Sequence, residues 1–155
     1  MRSDRRLALL PHRDPMVFLE EIAAVNRRRK HIRVVKRFKS GEAFFRGHFP
    51  GLAMVPGIFL VEGMAQAGLL IFQLAVRRLE KQELPVLTHV DARFMRPVFP
   101  NQRVVFEATI ERCTRDAAIF RTTTKVRGAL AAHAEMTFAV KRTILLRSRS
   151  RRRAS

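Results

Sequence analysis

A single carboxylate lies inside the longest apolar segment of the chain, and this segment constrains the fold more than any other feature. Residues 57–76 read GIFLVEGMAQAGLLIFQLAV and contain one charged residue, Glu62. About twenty apolar residues can span a membrane, but an acid near the middle of a lone span is costly. A helix that is apolar all round is typical of the core of a soluble domain. We therefore predict a core helix from Gly57 to about Arg78 and no membrane span.

Strand signals dominate the second half of the chain. Four runs rich in Val, Phe, Thr and Ile are separated by turn residues: Val86–Phe94, Arg103–Arg112, Ala117–Val126 and Leu130–Val140. The turn residues recur at hairpin spacing, which predicts an antiparallel meander. Earlier in the chain, His31–Phe38 predicts another strand, and Met16–Asn26 fits either a strand or a short helix. The fold class is α+β, with a long helix beside an antiparallel sheet.

The charge of the chain is strongly positive. The sequence has 155 residues, with 31 Lys and Arg against 13 Asp and Glu, for a net charge of +18. Its length favours one domain, and we expect a basic leader at 1–8, a domain at 9–142 and a basic, disordered tail at 143–155. A basic surface attracts nucleic acid, anionic membranes or acidic proteins. The alternative is a solvated surface without a partner.

The remaining composition indicates a reducing compartment. Cys113 is the only cysteine, so no internal disulfide can form. A packing role is expected for it. No secretory signal is recognisable at the start of the sequence, which favours a cytoplasmic location. The histidines are scattered singly, and His12 is interpreted as structural. No cluster indicates a metal, and no cofactor is expected.

The loop before the apolar helix carries a candidate base. His48 lies between Gly47 and Pro50, and Glu62 follows fourteen positions later. Histidine is a common general base, and a carboxyl on an apolar helix is pushed toward its neutral, proton-donating form. The free N–H groups at the helix start, near Gly57, could polarise a carbonyl oxygen. These parts suit proton removal beside a carbonyl and loss of a β-hydroxyl. The alternative is a satisfied core Glu and a structural His.

Three stretches carry a family resemblance. They are LPHRDP, GHFPGLAMVPGIFLVEGMAQA and DARFMRPVFPNQRVVFEATI. They resemble the 3-hydroxyacyl-acyl-carrier-protein dehydratases of type II fatty acid synthesis, in the branch with a catalytic Glu. The resemblance covers about residues 9–142. It implies a hot-dog fold, in which a curved antiparallel sheet wraps a long central helix, and a homodimer or a trimer of dimers.

The resemblance also implies residue roles. His48 takes the C2 proton, Glu62 of the partner subunit protonates the departing 3-hydroxyl group, and the Gly57 amide donates to the thioester carbonyl. Supporting roles are implied for Gln66, Pro56 and Phe49. An apolar tunnel for the acyl chain is expected at the dimer interface, with Phe49, Phe59 and Leu60 as candidate lining or as ordinary core residues.

The expected partner is an acyl-carrier protein that carries a 3-hydroxyacyl chain. Such carriers are acidic, so a positive rim would steer them to the site. Four arginines are candidates for this docking: Arg77, Arg78, Arg93 and Arg96. Nucleic acid is not expected as a partner.

Several departures from the family pattern leave alternatives open. Ala53 stands where Pro is usual, Val55 where Met is frequent, and Gly63 where Ala is usual, and the chain has no Tyr to form a lid. Chain length and any isomerase activity are therefore not predicted. The alternatives are a dehydratase of a polyketide or aryl-polyene pigment pathway, another hot-dog activity such as an acyl thioesterase, and a non-catalytic binder.

Overall fold

One long helix and six strands form the chain in the computed structural model, which describes residues 4–143. The strands are β1 (Glu21–Asn26), β2 (His31–Arg37), β3 (Glu83–Phe94), β4 (Arg103–Cys113), β5 (Ala117–Val126) and β6 (Ala129–Arg142), and the helix is α1 (Gly57–Ala75). Short 3-10 helices occupy Arg5–Leu9 and Ala43–Arg46. The α+β class is confirmed, and the ambiguous segment before Asn26 ends in a strand. Most of the predicted basic tail lies outside the described residues.

The six strands form one antiparallel sheet in the order β1-β2-β4-β5-β6-β3. Strands β4, β5 and β6 form the predicted meander. The prediction is wrong for β3, which pairs with β6 instead of β4. The β3–β4 connection contains Pro97 and Pro100 and is too long for a tight hairpin, and proline has no N–H for a strand ladder. Strand β3 is consequently an edge of the sheet.

Helix α1 packs against the sheet as the predicted core helix. By length and composition it could cross a membrane, but eleven of its 19 residues are buried. Two glycines let aromatic rings approach the helix closely. A Cβ atom on Gly63 would lie 2.4 Å from Phe106, and one on Gly68 would lie 2.4 Å from Phe120. The rings of β4 and β5 therefore occupy space that a larger helix residue would need.

The helix ends three residues before the predicted position. Val76 is its C-terminal cap residue, and the side chain of Gln73 accepts a hydrogen bond from the Leu79 N–H. Arg77, which the prediction placed in the helix, instead binds Glu83 and Asp116 at 2.7 and 2.6 Å. These ion pairs favour an early end of the helix, because they hold the chain against the start of β3.

The edge strand β3 presents an apolar surface. Large exposed side chains lie on β3 or directly after it: Leu84, Leu87, Val90, Phe94 and Met95. A long edge strand is a template for pairing with another chain, and monomeric proteins usually protect such edges with charges, prolines or bulges. This edge carries Pro85, the exposed charges Asp91 and Arg93, and one irregularity, between Leu87 and His89. It is the most apolar exposed strand of the described sheet.

Candidate active site

His48 is held in a defined orientation by its own loop. Its Nδ1 atom lies 3.2 Å from the carbonyl oxygen of Met54, and the Met54 N–H donates to the His48 carbonyl at 3.2 Å. A carbonyl oxygen only accepts hydrogen bonds, so Nδ1 carries the proton. The other ring nitrogen, Nε2, therefore keeps its lone pair. The geometry gives His48 the tautomer that a general base requires.

A cavity beside His48 is formed by the start of α1 and by residues 94–98. We call it the base cavity, and its lining includes His48, Gly57, Leu60 and Arg96. Pro56 is the N-cap residue of α1, and no side chain of the described residues caps this helix end. The first N–H groups of a helix have no intrahelical acceptor and carry partial positive charge. A carbonyl oxygen near Gly57 would meet a fixed donor beside the His48 ring.

Glu62 lines a second cavity, of about 180 Å³, on the other side of the helix. We call it the acid cavity, and its walls include His12, Glu62, Gln66, Leu87 and Phe138. The Glu62 Oε1 atom accepts a hydrogen bond of 2.8 Å from Gln66 Nε2. His12 Nε2 lies 3.3 Å from the same oxygen. The carboxyl is therefore in contact with two nitrogen atoms and has an apolar wall beyond it.

The apolar helix around Glu62 indicated a buried acid, but in a single chain Glu62 is only partly buried. The side chain of Glu62 is 28% exposed, because it lies in the second turn of α1 and faces the open end of the acid cavity. Desolvation of the carboxyl would require substrate or a second copy over this opening. The apolar helix around Glu62 packs mainly through its other faces.

Gln66, beside Glu62, is buried and fully hydrogen-bonded. It is 1% exposed, and its Oε1 accepts the Phe18 N–H at 2.9 Å, while its Nε2 also donates to the Met16 carbonyl at 2.7 Å. The backbone donor and the backbone acceptor together leave one orientation for the amide. Gln66 can therefore present only an N–H group to Glu62.

The two cavities do not merge within one chain. Glu62 lies five positions after Gly57, so the two residues face directions about 140° apart around the helix axis. His48 and Gly57 line the base cavity, whereas Glu62 and Gln66 line the acid cavity. A single copy therefore holds the candidate base and the candidate acid in separate places.

Comparisons with known proteins agree with this arrangement of elements. Residues 10–135 match the model of the FabA-like domain. The chain belongs to this family. It is 40% identical over 146 residues to the 3-hydroxyacyl-[acyl-carrier-protein] dehydratase FabZ of Proteus mirabilis, covering 93% of this chain and 96% of the relative. The recognised dehydratase resemblance is therefore confirmed.

Solved structures place this FabA-like chain in the hot-dog fold. The dehydratase heterocomplex ApeI:P from Xenorhabdus doucetiae matches with a TM-score of 0.73 at 16% identity, over 96% of this chain and 97% of that one. A hot-dog-like protein from Thermanaerovibrio acidaminovorans matches with a TM-score of 0.65 at 17% identity, over 81% of this chain and 90% of that one. At these identities the likeness concerns the fold alone.

The aromatic residues expected near the tunnel of this FabA-like chain have different positions. Phe49 is exposed and stacks on the His48 ring, with 4.1 Å between ring centroids. Phe59 instead packs in the core against Phe18 and Phe44, at 5.1 and 4.7 Å. Leu60 lines the base cavity. The apolar wall beside Glu62 comes from residues that the sequence did not single out, including Leu87 and Phe138.

The four arginines considered for carrier docking fall into two groups. Arg77 is engaged internally, since it binds Glu83, Asp116 and the carbonyl of Arg115. The hydrogen bond to Glu83, with a further contribution from Asp116, raises the pKa of Arg77 above its ordinary value. By contrast, Arg78, Arg93 and Arg96 are exposed. A docking role therefore suits these three better than Arg77.

His12 is the site residue that sequence reasoning missed. It was interpreted as structural, yet it lines the acid cavity and contacts Glu62. The two residues are fifty positions apart, so no local spacing signalled the contact. The available signal was that His12 lies in LPHRDP, one of the three stretches that carry the family resemblance. Within residues 4–143, no group of three or more His, Cys, Asp or Glu side chains could hold a metal ion.

Proposed function

We propose that this protein dehydrates 3-hydroxyacyl chains on acyl-carrier protein to trans-2-enoyl chains, in a site shared by two copies. The observation that carries the proposal is the division of the chemistry between two cavities. A base and a carbonyl-binding amide line one of them, and an oriented acid lines the other. The relative from Proteus mirabilis is a dehydratase of this substrate class, which supports the reaction type.

The position of the edge strand β3 explains how two copies of the chain could share one active site. An antiparallel pairing of β3 with the same strand of a second copy has a two-fold axis near its middle. The start of one strand then lies beside the end of the other. Pro85 and Leu87, near the start, line the acid cavity, and Phe94, at the end, lines the base cavity. The pairing thus brings the acid cavity of one copy to the base cavity of the other, twice per dimer.

The chemistry of β3 favours this pairing. Its outer edge has no strand partner in the described sheet, and its exposed side chains include Leu87, Val90 and Phe94. Burial of apolar surface and completion of backbone hydrogen bonds both stabilise such a contact. A homodimer is therefore the smallest complete enzyme in this proposal, and further assembly into a trimer of dimers is compatible with it.

The reaction then follows from the positions of the groups. His48 Nε2 removes the C2 proton while the Gly57 N–H stabilises the charge that develops on the thioester oxygen. The C3–O bond breaks, a C2–C3 double bond forms, and Glu62 of the other copy donates a proton to the leaving hydroxyl, which departs as water. His48 ends protonated and Glu62 ends ionised, so His48 releases a proton to solvent and Glu62 takes one up from solvent before the next turnover.

The basic surface suits an acidic carrier. Arg96 lines the base cavity and Arg93 lies near the end of β3, close to that opening in the sequence. Exposed arginines at a site entrance steer anionic partners by long-range attraction. We propose that Arg93 and Arg96 take part in docking; Arg78 lies beyond the other end of α1 and lines a different cavity. Fatty acid synthesis in the cytoplasm is the proposed setting, with which the free thiol of Cys113 is compatible.

Reversible hydration of a trans-2-enoyl thioester, read as loss of enoyl absorbance, tests the reaction. Wild type should be active, and the variants His48→Ala and Glu62→Gln should each lose about 100-fold or more. Circular dichroism of each variant controls for folding. Release of free thiol with the enoyl group intact would assign a thioesterase instead.

Co-expression of the two inactive variants tests the shared site. In a mixed dimer one site combines both substitutions and the other site has an intact His48 and an intact Glu62. Random pairing should restore about a quarter of the wild-type rate. If stable mixed dimers of the two variants remained inactive, the shared site would be contradicted. The proposed reaction type would not be affected by that result.

A further inference from the structure

Glu62 is contacted by a histidine from the N-terminal segment, and this contact has a chemical consequence. We infer that His12 is a positioning residue, which together with Gln66 occupies one carboxyl oxygen of Glu62 and leaves the other, Oε2, as the oxygen that carries the transferred proton. The inference rests on the proposed function and adds to it the identity of the reacting oxygen. Both contacts fall on Oε1, at 2.8 Å from Gln66 and 3.3 Å from His12.

The surroundings of His12 decide which of its nitrogens is protonated. Its Nδ1 atom is buried and has no hydrogen-bond partner among the described residues. A buried N–H donor without an acceptor is rarer and costlier than an unused acceptor. Because Nδ1 is already enclosed by its own chain, a second copy cannot reach it. The proton of a neutral His12 therefore lies on Nε2, the nitrogen that faces Glu62.

A doubly protonated ring would meet the same difficulty at Nδ1. An imidazolium would have to keep a donor on Nδ1 in the enclosed position, with no acceptor for it among the described residues. His12 thus acts as a neutral N–H donor toward Glu62. The 3.3 Å contact is longer than an ordinary hydrogen bond, and contacts of this kind in unliganded sites shorten when substrate binds.

The two nitrogens beside Oε1 of Glu62 leave Oε2 as the oxygen that carries the transferred proton. An oxygen that accepts the Gln66 N–H and faces His12 Nε2 at 3.3 Å is a poor place for a further proton, because the new O–H would point at these nitrogens. The acidic proton therefore resides on Oε2. After it leaves with the hydroxyl group, the negative charge of Glu62 meets two donors on Oε1, which stabilises the state formed in the chemical step.

Two properties separate this role from plain packing. His12 lines the acid cavity together with Glu62, and within residues 4–143 its only contact through a ring nitrogen is to that carboxyl. His31 provides a matched comparison, because it is also half-buried and its Nδ1 contacts Thr109 at 2.9 Å. His31 lies on β2, and it lines neither cavity.

The test compares three variants of the full chain in the hydration assay. His12→Ala should lower kcat about 10- to 100-fold, the effect of losing a hydrogen bond to a charged group. His12→Gln places an amide N–H at a similar reach and should recover most of that loss, since the role needs a neutral donor. His31→Ala should leave kcat unchanged. Thermal unfolding of every variant controls for stability.

Two results in the hydration assay would overturn the inference. An unchanged kcat for His12→Ala would remove any role for this side chain. A folded His12→Gln variant as slow as His12→Ala would show that the ring itself or its charge matters, and not the donor. If the wild type itself had no hydration activity, the proposed function would be refuted. The ratios between variants test only the role of His12.

A second measurement tests the inference without catalysis. Nuclear magnetic resonance of the chain labelled with ¹⁵N-histidine reports which ring nitrogen carries the proton. The inference requires His12 with its proton on Nε2, and a shift of that resonance in Glu62→Gln. A proton on Nδ1, or a resonance insensitive to Glu62, would contradict it even if the enzyme were inactive.

Discussion

The base cavity and the acid cavity are built in opposite ways. In the base half the orientation of the ring is local: His48, Met54 and Gly57 lie within ten residues, and backbone atoms hold the His48 ring, while residues 94–98 complete the cavity wall. In the acid half, Glu62 is oriented by His12 and by Gln66, which in turn is held by the backbone of the N-terminal segment. One half of the chemistry thus depends on a short loop and the other on long-range side-chain contacts.

Because of this difference, the acid and the base should be sensitive to substitutions in different parts of the chain. The Met54 carbonyl orients the His48 ring without a distant side chain. A carboxyl that is oriented by side chains depends on how the N-terminal segment packs against α1. The acid half should therefore respond to changes far from Glu62, whereas the base half should respond mainly to changes in its own loop. Three predictions, from the largest effect to the smallest, test this comparison.

The largest effect is expected where the two halves would meet. Val90 lies in the middle of β3, and Val90→Lys introduces a charge on the proposed pairing edge of both copies. We expect monomers in size-exclusion chromatography with light scattering, and a loss of activity of about 100-fold or more, because neither half contains both acid and base. Leu130→Lys is the control, since Leu130 and Val90 are equally exposed at 37%. Full activity in a monomeric Val90→Lys would refute the comparison's premise of two incomplete halves.

A smaller effect is expected from the side chain that supports Glu62. Gln66→Ala leaves the Phe18 N–H and the Met16 carbonyl without their partner, so the free energy of unfolding should fall by about 1–3 kcal/mol. Gln73→Ala is a matched control, because Gln73 is also buried in α1 and binds the backbone of Leu9 and Leu79. Both variants should lose stability in urea titrations.

Only the first of these variants should also lose kcat, by about tenfold. A loss of kcat in Gln66→Ala alone would show that Gln66 orients the acid in addition to stabilising the fold. Equal kcat values for Gln66→Ala and Gln73→Ala, at equal stability, would mean that Glu62 needs no orientation and that the acid half is as local as the base half.

The smallest effect concerns the apolar wall of the acid cavity. Ala65 lies one helical turn after Glu62 and lines this cavity, so Ala65→Leu should reduce its volume. The ratio of kcat/KM for a twelve-carbon enoyl thioester to that for a four-carbon one should fall, while the four-carbon rate changes by less than about threefold. A uniform change for both substrates would show that the acyl chain does not enter the acid cavity.

Sequence reasoning worked best where structure depends on neighbours in the chain. The β5 run was predicted at its observed limits, and the start of α1 at Gly57 followed from the Pro56-Gly57 pair. The motif around His48 was readable because its loop is local. Strand β3 was assigned as a strand but paired wrongly, since the pairing with β6 joins segments about fifty residues apart.

The acid half shows the limit of such reasoning. Glu62 was found from its isolation among apolar residues, but its partner His12 was interpreted as structural, because nothing in the spacing connects them. The exposure of Glu62 was also misjudged, since an apolar helix face predicts burial only if a neighbouring element covers it. Three-dimensional packing of the N-terminal segment decides both points.

The close approach of Phe106 to Gly63 limits which residue α1 can carry next to Glu62. A methyl group at position 63 would lie 2.4 Å from the Phe106 ring, a distance that real Cβ atoms essentially never show. The family resemblance identified Gly63 as a departure from the usual alanine. An alanine at this helix position would require the Phe106 ring of β4 to shift. The packing of β4 against the helix, one position after Glu62, therefore depends on the absence of a side chain at residue 63.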